Sequence, residues 1–136
     1  MKKFVFLGII ILISMFVAHL ISYYGTGFVS QKNYAKDLVK EELDTKSNLD
    51  KYKILEVTTM NEMEISNAAV MGLPYNNVTQ VEVDVAVRET SVNGIESENH
   101  YYHMFFKPEG ENDWQYGRKI SNGNISGTQQ YQLEKY

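Results

Sequence analysis

The stretch TQVEVDVAVRETSVNGIESENHYYHMFF, residues 79–106, decides the fold. Its first half alternates Val81, Val83, Val85 and Val87 with Glu82, Asp84, Ala86 and Arg88. That period of two gives a strand one apolar and one polar face. Its second half, NHYYHMFF, is aromatic and holds His100 and His103, two of the chain's three histidines. Between them lies Asn93–Gly94, a strong hairpin signal, because both central positions of a type I′ turn take positive φ. A two-residue turn there pairs residues whose numbers sum to 187. Val87 then faces His100, Val85 faces Tyr102, Val83 faces Met104 and Val81 faces Phe106. The other face pairs Ala86 with Tyr101, Asp84 with His103, and Glu82 with Phe105.

This register decides what the histidines can do. Residues three apart share a face on a helix but not on a strand, so His100 and His103 are not expected to hold one metal ion. His103 opposite Asp84 reads as an electrostatic cross-strand pair, in which the carboxylate favours the charged imidazole. No G-x-S-x-G frame, calcium loop or Walker loop occurs in the sequence, so no catalytic residue, metal or cofactor is expected. One aromatic set meets the helix. The other, Tyr101 and Phe105 with His103, beside Asp84 and Glu82, is then the candidate interaction face. Packing within a strongly curved sheet is the alternative account of the same residues.

Working outward, KPEGEND reads as a turn and WQYGRKI as a strand. Two registers are open for that strand. Trp114 beside Phe106, with Tyr116 on the valine face, is favoured because cores gather large aromatics. A one-residue shift sets these residues beside Lys107 and Phe105 instead. The tail, 121–136, is polar, a frayed end or a short strand around Tyr131–Leu133. Upstream, YKILEVTTM and MEISNAAVM read as two strands with a turn near Asn61–Glu62. Before them, Ser30 can cap a helix whose stripe is Ala35, Leu38, Val39 and Leu43. The expected class is α+β: an N-terminal transmembrane helix, then one amphipathic helix on a curved four- or five-stranded antiparallel sheet.

The N-terminus, MKKFVFLGIIILISMFVAHLISYYGTG, sets two lysines before 18 uncharged residues, Phe4 to Ile21. That length is at the lower edge of what spans a bilayer. Tyr23 and Tyr24 sit where an interfacial anchor belongs. The expected organisation is an anchor over 1–24, a linker over 25–29, an extracytoplasmic domain over 30–120 and a tail over 121–136. The N-terminus is expected inside and the domain outside. A cleaved, secreted form is the alternative, although the apolar run is long for a signal peptide.

Composition narrows the partners. The 136 residues carry a net charge of −4, and beyond Lys2 and Lys3 there are 11 basic against 17 acidic residues. Nucleic acid, which needs a basic footprint, is not an expected partner. The chain has no cysteine, which excludes disulfides, thiolate chemistry and a lipoprotein anchor, and suits a small bacterial surface protein held together by its core.

A helix followed by a long-stranded meander that ends YYHMFFKPEGENDWQYGRKI resembles the cystatin-like, or nuclear-transport-factor-two-like, α+β roll of small bacterial surface proteins. The resemblance covers roughly residues 30–120. The fuller form carries three helices before the sheet, whereas this chain has room for one. The resemblance implies a helix packed into a curved sheet whose concave side holds a pocket or a dimer interface. It also implies, for some members, single-pass subunits of conjugation or secretion machines. The expected function is a non-enzymatic, membrane-tethered protein-interaction domain, with a protein partner or a second copy. A small-ligand-binding protein with its pocket between helix and sheet is the alternative.

Overall fold

A computed structural model describes residues 9–15, 27–120 and 127–136. Most of the expected anchor therefore lies outside the described residues. The chain divides into two compact units, Met1–Ser30 and Gln31–Tyr136. In the first, residues 9–15 form a helix, α1, whose apolar side chains are exposed. Among the described residues no helix is long and apolar enough to cross a membrane.

The second unit holds most of α2 (Val29–Asp44) and the strands β1 (Leu49–Thr59), β2 (Met63–Ile65), β3 (Val78–Ser91), β4 (Glu96–Pro108), β5 (Gln115–Lys119) and β6 (Tyr131–Glu134). They form one six-stranded antiparallel sheet in the order β1-β3-β4-β5-β6, with β2 also on β3. Four- or five-stranded was the expectation. The additional strand is β6, so the sheet runs past residue 120 to Glu134. The two strands expected on either side of Asn61–Glu62 are β1 and β2, although the second ends at Ile65 and the two pair with β3 rather than with each other. Met60 N–H donates to the Glu82 carbonyl at 2.9 Å, and β2 follows β1 in the same direction along the same edge of β3.

The β3–β4 turn corrects the expected register. Gly94 N–H donates to the Ser91 carbonyl, and Ser91 N–H donates to the Ile95 carbonyl, both at 2.9 Å. Gly94 has φ +80°, whereas Asn93 is not among the residues with positive φ. The connection is therefore a type I turn closed by a left-handed glycine, with three loop residues rather than two. Val87 faces Asn99, Val85 faces Tyr101, Val83 faces His103 and Val81 faces Phe105. A slip of one residue moves every side chain of a strand to the other face. Tyr101, His103 and Phe105 thus join the valines instead of opposing them.

The helix covers this face. Gln31, Ala35, Val39 and Leu43, four apart along α2, are buried, a stripe one position narrower than expected because Leu38 is only partly buried. Tyr34 meets the rings of Phe105 and Tyr116 at 6.2 and 5.3 Å. Tyr116 stands opposite Phe105 and Gln115 opposite Phe106, so the strand takes the alternative register, with Trp114 at Lys107, while Tyr116 still lies on the valine face. Two one-residue displacements, one at each side of β4, cancel for Tyr116.

A second core lies on the reverse face at one end. It gathers Ala68, Leu73, Val78, Met104, Phe106 and Tyr131, beneath the segment holding a 3₁₀ turn, Ala68–Met71. The Phe106 ring fits because Gly117 has no side chain; a Cβ there would collide with it.

The turn assignment is testable by equilibrium denaturation. Gly94→Ala, which forces a side chain into left-handed backbone, is expected to cost about 1–2 kcal/mol. Asn93→Ala is expected to cost about 0.5 kcal/mol or less, as for an ordinary surface change. A type I′ turn would instead make both substitutions costly.

Candidate functional site

Three groups of polar side chains stand out, and the register sorts them. The first is under the C-terminal end of α2. Glu89 continues the row Val81–Val83–Val85–Val87 by parity, and its side chain is only 6% exposed. Lys46 donates to its Oε1 at 2.9 Å, while Tyr101 and Asn99 donate to Oε2 at 2.8 and 2.5 Å. Lys46 also reaches the Tyr101 hydroxyl at 3.2 Å. Burial pushes the Glu89 carboxyl up, but the bonds from Lys46, Tyr101 and Asn99 together outweigh it and hold the group below its ordinary value. A buried carboxylate is tolerated when its charge is paired and its lone pairs are occupied. This cluster was not expected from the sequence, yet its signal was there: an odd-numbered acid at the end of an odd-numbered valine row.

The second group centres on His103. Its Nδ1 lies 3.0 Å from the Tyr116 hydroxyl, and its Nε2 is enclosed with no hydrogen-bond partner. Burial pushes the imidazole down to about 4, with the charge of Lys119 adding in the same direction. This is the opposite of the charged His103 expected beside Asp84.

The third group is on the reverse face. His100, not His103, takes Asp84: its Nδ1 donates to both carboxylate oxygens at 2.9 Å. Glu98 lies 3.8 Å from His100 Nε2. The His100 ring stacks on Tyr102 at 6.2 Å, and Tyr102 is 47% exposed. Glu82 and Asp84 share this face by alternation along β3.

The five residues of the expected face are therefore split. Tyr101, His103 and Phe105 lie with the valines, and Phe105 has no exposed surface. Asp84 and Glu82 lie on the other side with His100 and Tyr102. Of the large side chains on that side, Met104 and Phe106 are covered by the chain's own second core, and Tyr102 is left exposed.

A cleft of about 430 Å³ opens at the far end of the sheet, lined by Glu64, Ile65, Ser66, Asn77, Val78, Thr79 and Glu109. Asn77 donates to Glu109 at 2.7 Å across its rim. None of its lining residues belongs to α2. Among the described residues no group of three or more histidine and acidic side chains is placed to hold a metal ion. Comparison with protein-family models, with curated proteins and with solved structures finds no match to this chain.

Two measurements check this sorting. Phe105→Ser is expected to destabilise the domain by about 3–5 kcal/mol, as for other buried aromatics. Tyr102→Ser, on the open face, is expected to stay within about 0.5 kcal/mol of the parent chain. The register expected from a two-residue turn reverses that order. Lys46→Met leaves Glu89 its Tyr101 and Asn99 bonds, and Lys46 is 39% exposed, so a screened loss of about 1–2 kcal/mol is expected in thermal unfolding.

Proposed function

We propose that this chain is a non-enzymatic, membrane-tethered, extracytoplasmic protein-interaction domain. Its setting would be a bacterial envelope, conjugation or secretion assembly. One observation carries the reading. In α1, Ile9, Ile10, Ile11, Leu12, Ile13 and Met15 are all about half exposed or more. Consecutive residues point all round a helix, so this is an apolar cylinder rather than an apolar stripe. Ser14, its polar residue, donates its hydroxyl to the Ile11 carbonyl at 2.9 Å and so needs no water. Uncharged sequence continues on both sides, from Phe4 to Ile21. Hydrocarbon is the medium that suits such a surface.

The interaction part of the reading rests on the reverse face. Tyr102, His100, Asp84 and Glu82 form an open patch of one aromatic side chain among charges, a composition suited to a protein contact. The order of one helix and then an antiparallel meander also supports the likeness to the cystatin-like roll. A pocket between helix and sheet is less well supported, because Ala35, Val39, Val83, Val85, Val87 and Phe105 fill that space with no exposed surface. A ligand-binding role would have to use the cleft beside Glu64 and Glu109 instead.

The tether is tested by fractionating cells that make the full chain with a C-terminal tag. It is expected in the membrane fraction, resistant to alkaline extraction, with the tag digested by protease added to intact cells. The Ile11→Arg, Leu12→Arg double variant is expected to shift the chain out of that fraction, since each charge costs about 2.5–3.5 kcal/mol at a helix centre in the bilayer. Recovery of the intact parent chain in the alkaline-soluble fraction would remove the reading.

A further inference from the structure

His103 is a titratable group that the proposed function does not use, and its surroundings give it one acceptable state. It lies on the helix-facing side of β4, opposite Val83. Its Nδ1 is served by Tyr116, and its Nε2 meets nothing that can accept a proton's hydrogen bond. A neutral imidazole leaves one nitrogen unpartnered there, whereas an imidazolium would bury a second N–H donor and a full charge.

The charged groups around it offer no compensation. On β5, Arg118 is engaged with Glu134 of β6 at 2.5 and 3.0 Å, and the charge of Lys119 opposes protonation. On α2, Glu42 bears on Tyr116, and no ion pair joins it to His103 among the described residues. At the far end of the valine row, Glu89 is committed to Lys46, Tyr101 and Asn99. Tyr34 of α2 supplies a ring and no carboxylate.

The position matters as much as the charge. Tyr116, the partner of His103, is the hub of an aromatic cluster that ties the helix down. Its ring lies 5.3 Å from Tyr34 of α2 and 5.4 Å from Phe105. Tyr136 closes the cluster, 4.9 Å from Tyr34 and 5.3 Å from Phe105. The strands have independent support on the reverse side, where Val78, Met104, Phe106 and Tyr131 pack without His103.

We propose that His103 is an acid-sensitive latch: its protonation releases α2 from the valine face while the sheet stays paired. Release uncovers Val81, Val83, Val85 and Phe105, an apolar surface that the closed form hides. The direction follows from linkage. Burial pushes the folded imidazole from its ordinary 6.5 down to about 4, so its contribution to holding the helix is complete above pH 6.5 and is lost as pH falls towards 4. Glu89 is held below the ordinary carboxylate value, so the Lys46 attachment persists through most of that window.

The test is hydrogen exchange on the full-length chain, corrected for intrinsic rates, at pH 7.5 and 4.5. In the parent chain the opening constant of α2 amides should rise by roughly 50–100-fold between these values, from the His103 linkage alone. Amides of β3 and β4 should keep their protection. His103→Gln, which retains a partner for Tyr116 but cannot titrate, should lack that rise. His100→Gln, on the other face, should behave as the parent. An unchanged α2 at pH 4.5, an equal response in His103→Gln, or simultaneous opening of β3 and β4 would each overturn the proposal. Should His103→Gln fail to fold, the imidazole of the parent chain can be titrated by NMR. A midpoint below 5 supports the latch, and one at 5 or above overturns it.

Discussion

Gly94 holds φ +80° at the end of a three-residue loop, and the parity it imposes on β4 governs the rest of the domain. With three residues in the loop, odd positions of β4 lie beside odd positions of β3. Asn99, Tyr101, His103 and Phe105 therefore share a face with the four valines and Glu89. Each buried polar contact follows from that alignment. Tyr101 and Asn99 can donate to Glu89 only because they stand on its side of the sheet, and His103 can meet Tyr116 only because β5 presents it there.

The same parity sends Met104 and Phe106 to the reverse face, where the sheet needs a second cover at one end. The chain supplies it with the 3₁₀ segment and with Tyr131 of β6. At the other end of that face there is no comparable apolar demand. Asp84, His100 and Tyr102 remain open to solvent. One face is thus covered along its valine row, and the other is covered at one end and open at the other. The open patch is what burial left over.

The two ionisable groups under the helix were resolved in opposite ways. Glu89 keeps its charge because three donors converge on it. His103 forgoes its charge because burial disfavours it and the charge of Lys119 opposes it. A buried polar group is tolerated either by pairing or by neutralisation, and this interface uses both. The consequence is an attachment whose two ends respond differently to acid.

Much of this was written in local pattern. The alternation of Val81 to Val87 specifies a half-buried strand, and the spacing of Ala35, Val39 and Leu43 specifies the helix that covers it. Glu89 was legible too, since parity along one strand needs no knowledge of its neighbours. Which face β4 shows was not legible, because Asn93–Gly94 is compatible with a two-residue and a three-residue loop, and the choice between them inverts every side chain. Local sequence therefore determined that a hairpin forms and where it turns. Only the assembled structure decided the partners of the two histidines. Burying Phe105 beneath α2 and Phe106 against Gly117 satisfies both faces at once, and no single strand carries that condition by itself.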